Sequence, residues 1–248
     1  MTTLRVLAPG SMTHLMPRLV RLYQESHPAV VVESQFGPSG SLRDKIESGT
    51  RFDLYLTAST THTDALRANG FVEETALLGF NEMVLLYQRP LAITPDQVIA
   101  HLVDPDMSVG MSTTGLDPSG DYAIEILEKV SQVSGVSLEI ITEKTRMVTG
   151  GRETPNAPPG RNQYGWLMEN EDIDVLLTYL SNALAAIDDN AHINFTPLPE
   201  SIAVTGTYGI GLKTDASEEA KTFFDWLVDM DAQKILKDGG FIPVHERA

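Results

Sequence analysis

Three short polar turns carry the residues of this chain best suited to chemistry: PGSMT around Ser11, GPSGS around Ser39 and TASTT around Ser59. Each follows an apolar run and precedes a helical pattern. A helix N-terminus leaves N–H groups unbonded and carries the positive end of the helix dipole, so a turn of this kind suits an oxyanion. A Ser hydroxyl in the first helical turn adds a donor. Several such turns converging would hold a dianion with neutral groups alone, through charge-assisted hydrogen bonds and no salt bridge. One turn by itself says little, because Gly, Pro and Ser favour turns for conformational reasons of their own.

Other chemistries fit these residues less well. GPSGS approaches the G-x-S-x-G nucleophile elbow, but Ser41 stands where its second Gly belongs. The late histidines that could serve as base, His192 and His245, lie in loop and at the chain end. Neither G-x-G-x-x-G nor a Walker lysine occurs. The six histidines form no H-x-x-x-H pair, which argues against a zinc site. Cysteine is absent, so disulfides and thiolate ligands are excluded. Asp104, Asp106 and Asp117 read as solvated loop residues. A formal charge of −16 lacks the basic face of a nucleic-acid binder. It also means that any anion must be held by local donors, which screening over roughly 8–10 Å permits. The expectation is a binding protein with no catalytic residues, no cofactor and no nucleic-acid partner.

The elements that must position these turns follow from hydrophobic period. Residues 4–8 alternate as a strand, and Leu15, Leu19 and Leu22 then recur at helical spacing, with Pro17 tolerable in a first turn. Residues 30–36, GPSGS and 42–48 repeat the unit, and so do residues 53–56, TASTTHTD and 65–68. Three strand–turn–helix units in seventy residues predict a parallel α/β sheet flanked by helices. In such sheets ligands sit beyond the carboxyl ends of the strands, where Ser11, Ser39 and Ser59 fall. Residues 83–87 and 109–111 predict further strands, the latter leading through STTGLDPSGDY to a helix over 122–130. Residues 175–178 predict a buried strand ending at Tyr179. Residues 203–212 predict a strand, and residues 217–230 a helix with Ser217 as N-cap. Residues 149–162, TGGRETPNAPPGRN, form the one long breaker-rich loop. At 42% apolar and 21% charged residues over 248 positions, the chain can bury a core as one large domain or two lobes. No run approaches the ~18 apolar residues that span a bilayer.

Taken together, VLAPGSMTHLMPRL, QFGPSGSLRDKIESGTRFDLYLTAS, GLDPSGDYAIEIL, DVLLTYLSNAL and TFFDWLVDMDAQKILKDGGFIP resemble the substrate-binding protein of the molybdate ABC transporter. Tungstate- and sulfate-binding relatives are more loosely similar. The resemblance runs through nearly the whole chain. It implies a two-lobed periplasmic-binding-protein fold of type II, with a hinge between lobes. Lobe one would span residues 1–82 plus 205–248 and lobe two residues 83–204. It implies a monomer that captures molybdate or tungstate as its ligand, closes on it, and delivers it to the transporter permease. By the resemblance, Ser11 and Ser39 are oxyanion ligands. Ala58 matches the small residue after the third strand. Ser119 stands at a Pro-x-Gly helix start whose backbone N–H is a donor, and Tyr179 donates its hydroxyl.

One part departs from the pattern. The 149–162 loop replaces a short connection and sets Arg161 and Asn162 near the position of a backbone donor. An Arg in the pocket would better match a carboxylate or a larger anion. The alternatives are thus a binder of a small carboxylate or phosphorylated metabolite on the same fold, or a cytosolic anion sensor. The resemblance implies a periplasmic location; the start MTTLRVL, which has no signal pattern, leaves a cytoplasmic one open.

Overall fold

The computed structural model describes residues 1–247. The chain divides into two compact units, Met1–Asn81 with the chain from Thr207 onward, and Glu82–Gly206. Along the sequence, unit one opens with β1 (Thr2–Pro9), a 3-10 turn over Gly10–Met12 and α1 (Met16–Ser26). It continues through β2 (Val30–Gly37), α2 (Ser39–Glu47), β3 (Leu54–Thr57) and α3 (Thr60–Ala68). The chain passes to unit two within β4 (Val72–Gln88). There follow α4 (Val98–Val103), β5 (Val109–Ser112), α5 (Pro118–Ser134), α6 (Leu138–Glu143), β6 (Thr145–Thr149) and α7 (Gln163–Asn170). Unit two ends with β7 (Val175–Tyr179), α8 (Leu180–Asp189) and β8 (Ile193–Pro197). It returns within β9 (Thr205–Lys213) to α9 (Glu218–Leu227), α10 (Met230–Asp238) and β10 (Phe241–Ile242).

In unit one β1 pairs parallel with both β2 and β3, and β9 runs antiparallel to β3. In unit two β5 lies parallel to β6 and β7, while β4 pairs antiparallel with β7 and β8. Both sheets are mixed α/β with their parallel strands joined through helices, as the repeated strand–turn–helix pattern predicts. Strands in such sheets are covered on both faces, and β3, β5 and β7 are buried at every residue. The core of unit one gathers Leu7, Leu42, Ile46, Phe52, Tyr55, Leu66 and Val72. That of unit two gathers Val84, Leu86, Val148, Leu167, Met168 and Leu176.

Several elements differ from the sequence reading. β4 is a 17-residue strand, of which hydrophobic pattern marked only residues 83–87. Its first half reads EETALLGF, with no alternation to betray it, and pairing with β10 organises part of it. α5 begins at Pro118 rather than near residue 122, because Pro is favourable in the first turn and Asp117 caps it. Met147, an apolar residue, is exposed on β6. Among the described residues no helix is long and apolar enough to cross a membrane.

Candidate functional site

In unit one the register brings three strand ends level. Pro9 of β1 pairs with Gly37 of β2, and Leu7 pairs with Tyr55, two residues short of the end of β3 at Thr57. Ser11, Ser39 and Ser59 therefore each stand two residues beyond a strand end, at the carboxyl edge of the parallel sheet. Their environments differ. Ser39 is the first residue of α2 and fully buried, and its Oγ accepts the Ala58 N–H at 3.1 Å. Its carbonyl accepts the Tyr55 hydroxyl at 2.7 Å. Burial pushes the Tyr55 hydroxyl well up, so it remains a neutral donor that pins the turn. Ser39 still has its own hydroxyl proton to give. Ala58 is thus tied to Ser39 directly, and both are buried.

Ser11 lies in the 3-10 turn after β1, buried, with its Oγ 2.7 Å from the Tyr208 hydroxyl. Tyr208, on β9, is itself fully buried, stands edge-on to Phe241 and accepts from Asn81 Nδ2 at 3.5 Å. The chain Ser11–Tyr208–Asn81 orients one of the expected ligand hydroxyls. Sequence reasoning missed it, because Tyr208 is 197 residues away and no local pattern links it to Ser11. Ser59 is only half-buried, and its hydroxyl meets Thr61 Oγ1 at 2.8 Å.

In unit two the parallel pair β5 and β7 presents a similar edge. Val109 pairs with Val175 and Gly110 with Leu176, so the ends of β5 and β7 run side by side. Tyr179 closes β7, buried, and meets Tyr122 of α5 edge-on with ring centroids 6.3 Å apart. Gly206 lets them pack: a Cβ there would lie 2.9 Å from Tyr179 Cε1 and 3.1 Å from Tyr122 Cε2. Ser119 is the second residue of α5. Gly120 beside it has room for no side chain, since a Cβ would lie 2.5 Å from the Ser112 carbonyl oxygen. The helix start is thereby pressed onto the end of β5. Ser119 is 1% exposed, and its Oγ is buried with no hydrogen-bond partner. An unpaired buried hydroxyl is unfavourable by about 1–3 kcal/mol, so it is retained where something else compensates.

Two expectations need correcting here. The backbone N–H of Ser119, expected to face a ligand, donates instead to Asp117 Oδ1 at 3.1 Å. Asp117 is not a solvated loop residue. It is the N-cap of α5, and burial pushes its carboxyl pKa up.

Arg161 and Asn162 are also placed elsewhere than their expected role requires. The Arg161 guanidinium bonds Asp189 through Nε at 3.1 and 3.2 Å, and Glu169 through Nη2 at 2.9 Å. Asp189 is the last residue of the ten-residue α8, whereas Tyr179 precedes its first. At 1.5 Å per residue, Arg161 is held about 15 Å along that helix from Tyr179. The fork is occupied by two carboxylates at the wrong end. Asn162 caps α7, its Oδ1 accepting from Tyr164 N and Gly165 N at 2.9 and 3.0 Å. The long loop therefore ends in a helix start rather than among the other expected donors. Of the site residues expected in unit two, Ser119 and Tyr179 share the edge formed by β5 and β7.

Each unit thus displays buried neutral hydroxyls at the carboxyl edge of its parallel strands. No group of three or more His, Cys, Asp or Glu side chains able to hold a metal ion occurs among the described residues.

Comparison with known proteins bears on this arrangement. The sequence profile of the family described as bacterial extracellular solute-binding protein matches residues 4–242. An uncharacterized protein of Pasteurella multocida is 28% identical over 248 residues, covering 98% of this chain and 99% of its own. A Bacillus subtilis protein named as an ABC transporter substrate-binding lipoprotein is 24% identical, over 96% of this chain and 86% of its own. Among solved structures, the periplasmic molybdate-binding protein of Azotobacter vinelandii superposes with a TM-score of 0.74 at 16% identity, covering 96% of this chain and 98% of its own. The sulfate-binding protein of Mycobacterium tuberculosis gives 0.78 at 16% identity, over 98% and 88%. At such identities these two likenesses speak for the fold.

Proposed function

This chain belongs to the bacterial extracellular solute-binding protein family, and from that premise we propose that it captures molybdate or tungstate for an ABC transporter permease. Members of the family bind a solute and hand it on; they are not enzymes and carry no cofactor. The anion's donors, in this reading, are Ser11, Ser39, Ser119 and Tyr179. Ala58 N–H supports Ser39, and the protein works on the outer side of the cytoplasmic membrane, in a periplasm.

The observation that carries the reading is the Ser119 hydroxyl, buried and without a partner in the first turn of a 17-residue helix. Hydroxyls at Ser11 and Ser39, buried at the equivalent edge of the other sheet, support it. All are neutral donors. A tetrahedral dianion bonded only by neutral donors needs no counter-charge, and this suits a chain of net charge −16. The two solved relatives, named for molybdate and sulfate, agree with the oxyanion class. The rival reading, a small carboxylate or phosphorylated metabolite anchored by Arg161, is less favoured, since that side chain pairs with Asp189 and Glu169.

Calorimetric titration with molybdate, tungstate, sulfate, phosphate and small carboxylates tests the proposal. Molybdate and tungstate should bind at least tenfold more tightly than the rest. Preference for sulfate or phosphate would move the assignment within the oxyanion class, and preference for a carboxylate would overturn it.

A further inference from the structure

The opposite edge of the unit-one sheet holds a cavity of about 520 Å³. It lies at the amino ends of the parallel strands. Asp53 precedes β3, Lys213 ends the antiparallel β9, and Gly49 and Gly70 follow the last turns of α2 and α3. Phe52, buried, and Phe71, half-buried, supply an apolar wall, while Arg5, Arg51 and Lys213 are exposed around it.

The charge here runs against that of the whole molecule. Acidic residues outnumber basic ones by 34 to 18, yet three of the 18 line this one cavity. Among the described residues, no carboxylate pairs with any of the three, although seven other Lys and Arg side chains form ion pairs. The single lining carboxylate, Asp53, has its Oδ2 taken by the Arg5 backbone N–H at 2.7 Å. The C-terminal ends of α2 and α3 oppose an anion here, each with roughly half a negative charge. Several of their last carbonyls are already met by the N–H groups of Gly49, Thr50, Gly70 and Phe71. Three full positive charges exceed one carboxylate and two half-dipoles. A Cβ at Gly49 or Gly70 would meet nothing within 4 Å, so the mouth is open.

We propose that this cavity is a second binding site, separate from the oxyanion donors, for an aromatic organic anion. The ring would lie on Phe52 and Phe71, and a phosphate or similar group would meet Arg5, Arg51 and Lys213. Aromatic walls with a few charged groups at the rim, in a volume within the usual range of about 300–1,000 Å³, are the features of small-molecule sites. An inorganic ion would leave the phenylalanines unused.

The test is an amide-resolved NMR titration of the full chain, using phenyl phosphate as probe and inorganic phosphate as control. Saturable shifts at Gly49, Thr50, Gly70, Phe71 and Lys213 are expected with phenyl phosphate, and at least tenfold weaker binding of inorganic phosphate. Arg51→Ala with Lys213→Ala should weaken phenyl phosphate tenfold or more and leave molybdate affinity unchanged. No saturable shift at these amides, equal response to inorganic phosphate, or an unaffected double variant would each overturn the proposal. A response only to a poly-glutamate peptide would overturn it in favour of an acidic protein partner. The proposal about the oxyanion stands or falls separately.

Discussion

Replacing Ser119 by Ala should move stability and affinity in opposite directions. The Ser119 hydroxyl is buried and meets no protein partner, so without an anion to bond it should bear the desolvation cost of a polar group, about 1–3 kcal/mol. Alanine removes that cost and leaves only a small void. It also suits a helix better than serine does. A net gain of about 1 kcal/mol is expected, which for a chain of this size raises Tm by roughly 2–4 °C. With anion present the same hydroxyl becomes a charge-assisted donor worth about 1.5–3 kcal/mol, so affinity should fall by roughly one to two orders of magnitude. At anion concentrations near 100 times the wild-type Kd, the ligand adds about 2.7 kcal/mol to the wild type. With Kd raised about thirtyfold, it adds only about 0.9 kcal/mol to the variant. The two melting curves should therefore cross in order: the variant higher without molybdate, lower with it. Differential scanning calorimetry with and without ligand, alongside titration calorimetry, measures both. A variant less stable without ligand, or one with unchanged affinity, would refute the reasoning that the hydroxyl is held in reserve for the anion.

Ser39→Ala should behave differently, since Ser39 Oγ is the acceptor for the Ala58 N–H: anion affinity should fall similarly, but Tm without ligand should drop by about 1 kcal/mol worth of stability rather than rise. Asp117 has a carboxyl pKa raised by burial from 3.8, so the folded state holds its proton to higher pH than the unfolded chain. Its contribution to stability therefore declines as pH rises from about the unfolded value through the folded one. Asp117→Asn keeps an acceptor for the Ser119 N–H, and its Tm advantage over wild type should grow across that window; parallel pH profiles would rule this out. Arg161→Ala should leave every anion affinity unchanged while speeding amide exchange in the loop that the Asp189 and Glu169 pairs tether, and a loss of carboxylate binding would restore the rival reading.

What the sequence determined by itself is whatever depends on neighbours in the chain. Strand, polar turn and helix each announce themselves within a window of ten residues, and three repeats of that unit dictate a parallel sheet. The sheet in turn dictates that Ser11, Ser39 and Ser59 share one edge. The body of the helix at 122–130 is legible for the same reason, whereas its start at Pro118 and the tight approach of Gly120 to the Ser112 carbonyl belong to the fold. The tertiary structure decided everything that depends on which distant group arrives at a hydroxyl or a charge. Ser11 is met by Tyr208, whereas Ser59 is spent on its neighbour Thr61. Asp117 looks like any loop acid until burial strips its water. Arg161 looks like a ligand anchor until α8 brings Asp189 from 28 residues away. A guanidinium reaches several ångströms in any direction, and its partner is set by packing rather than by sequence spacing. Hydrogen bonds and ion pairs between distant residues depend on distances that only the folded chain fixes, and so the edge could be read from the sequence while its occupants could not.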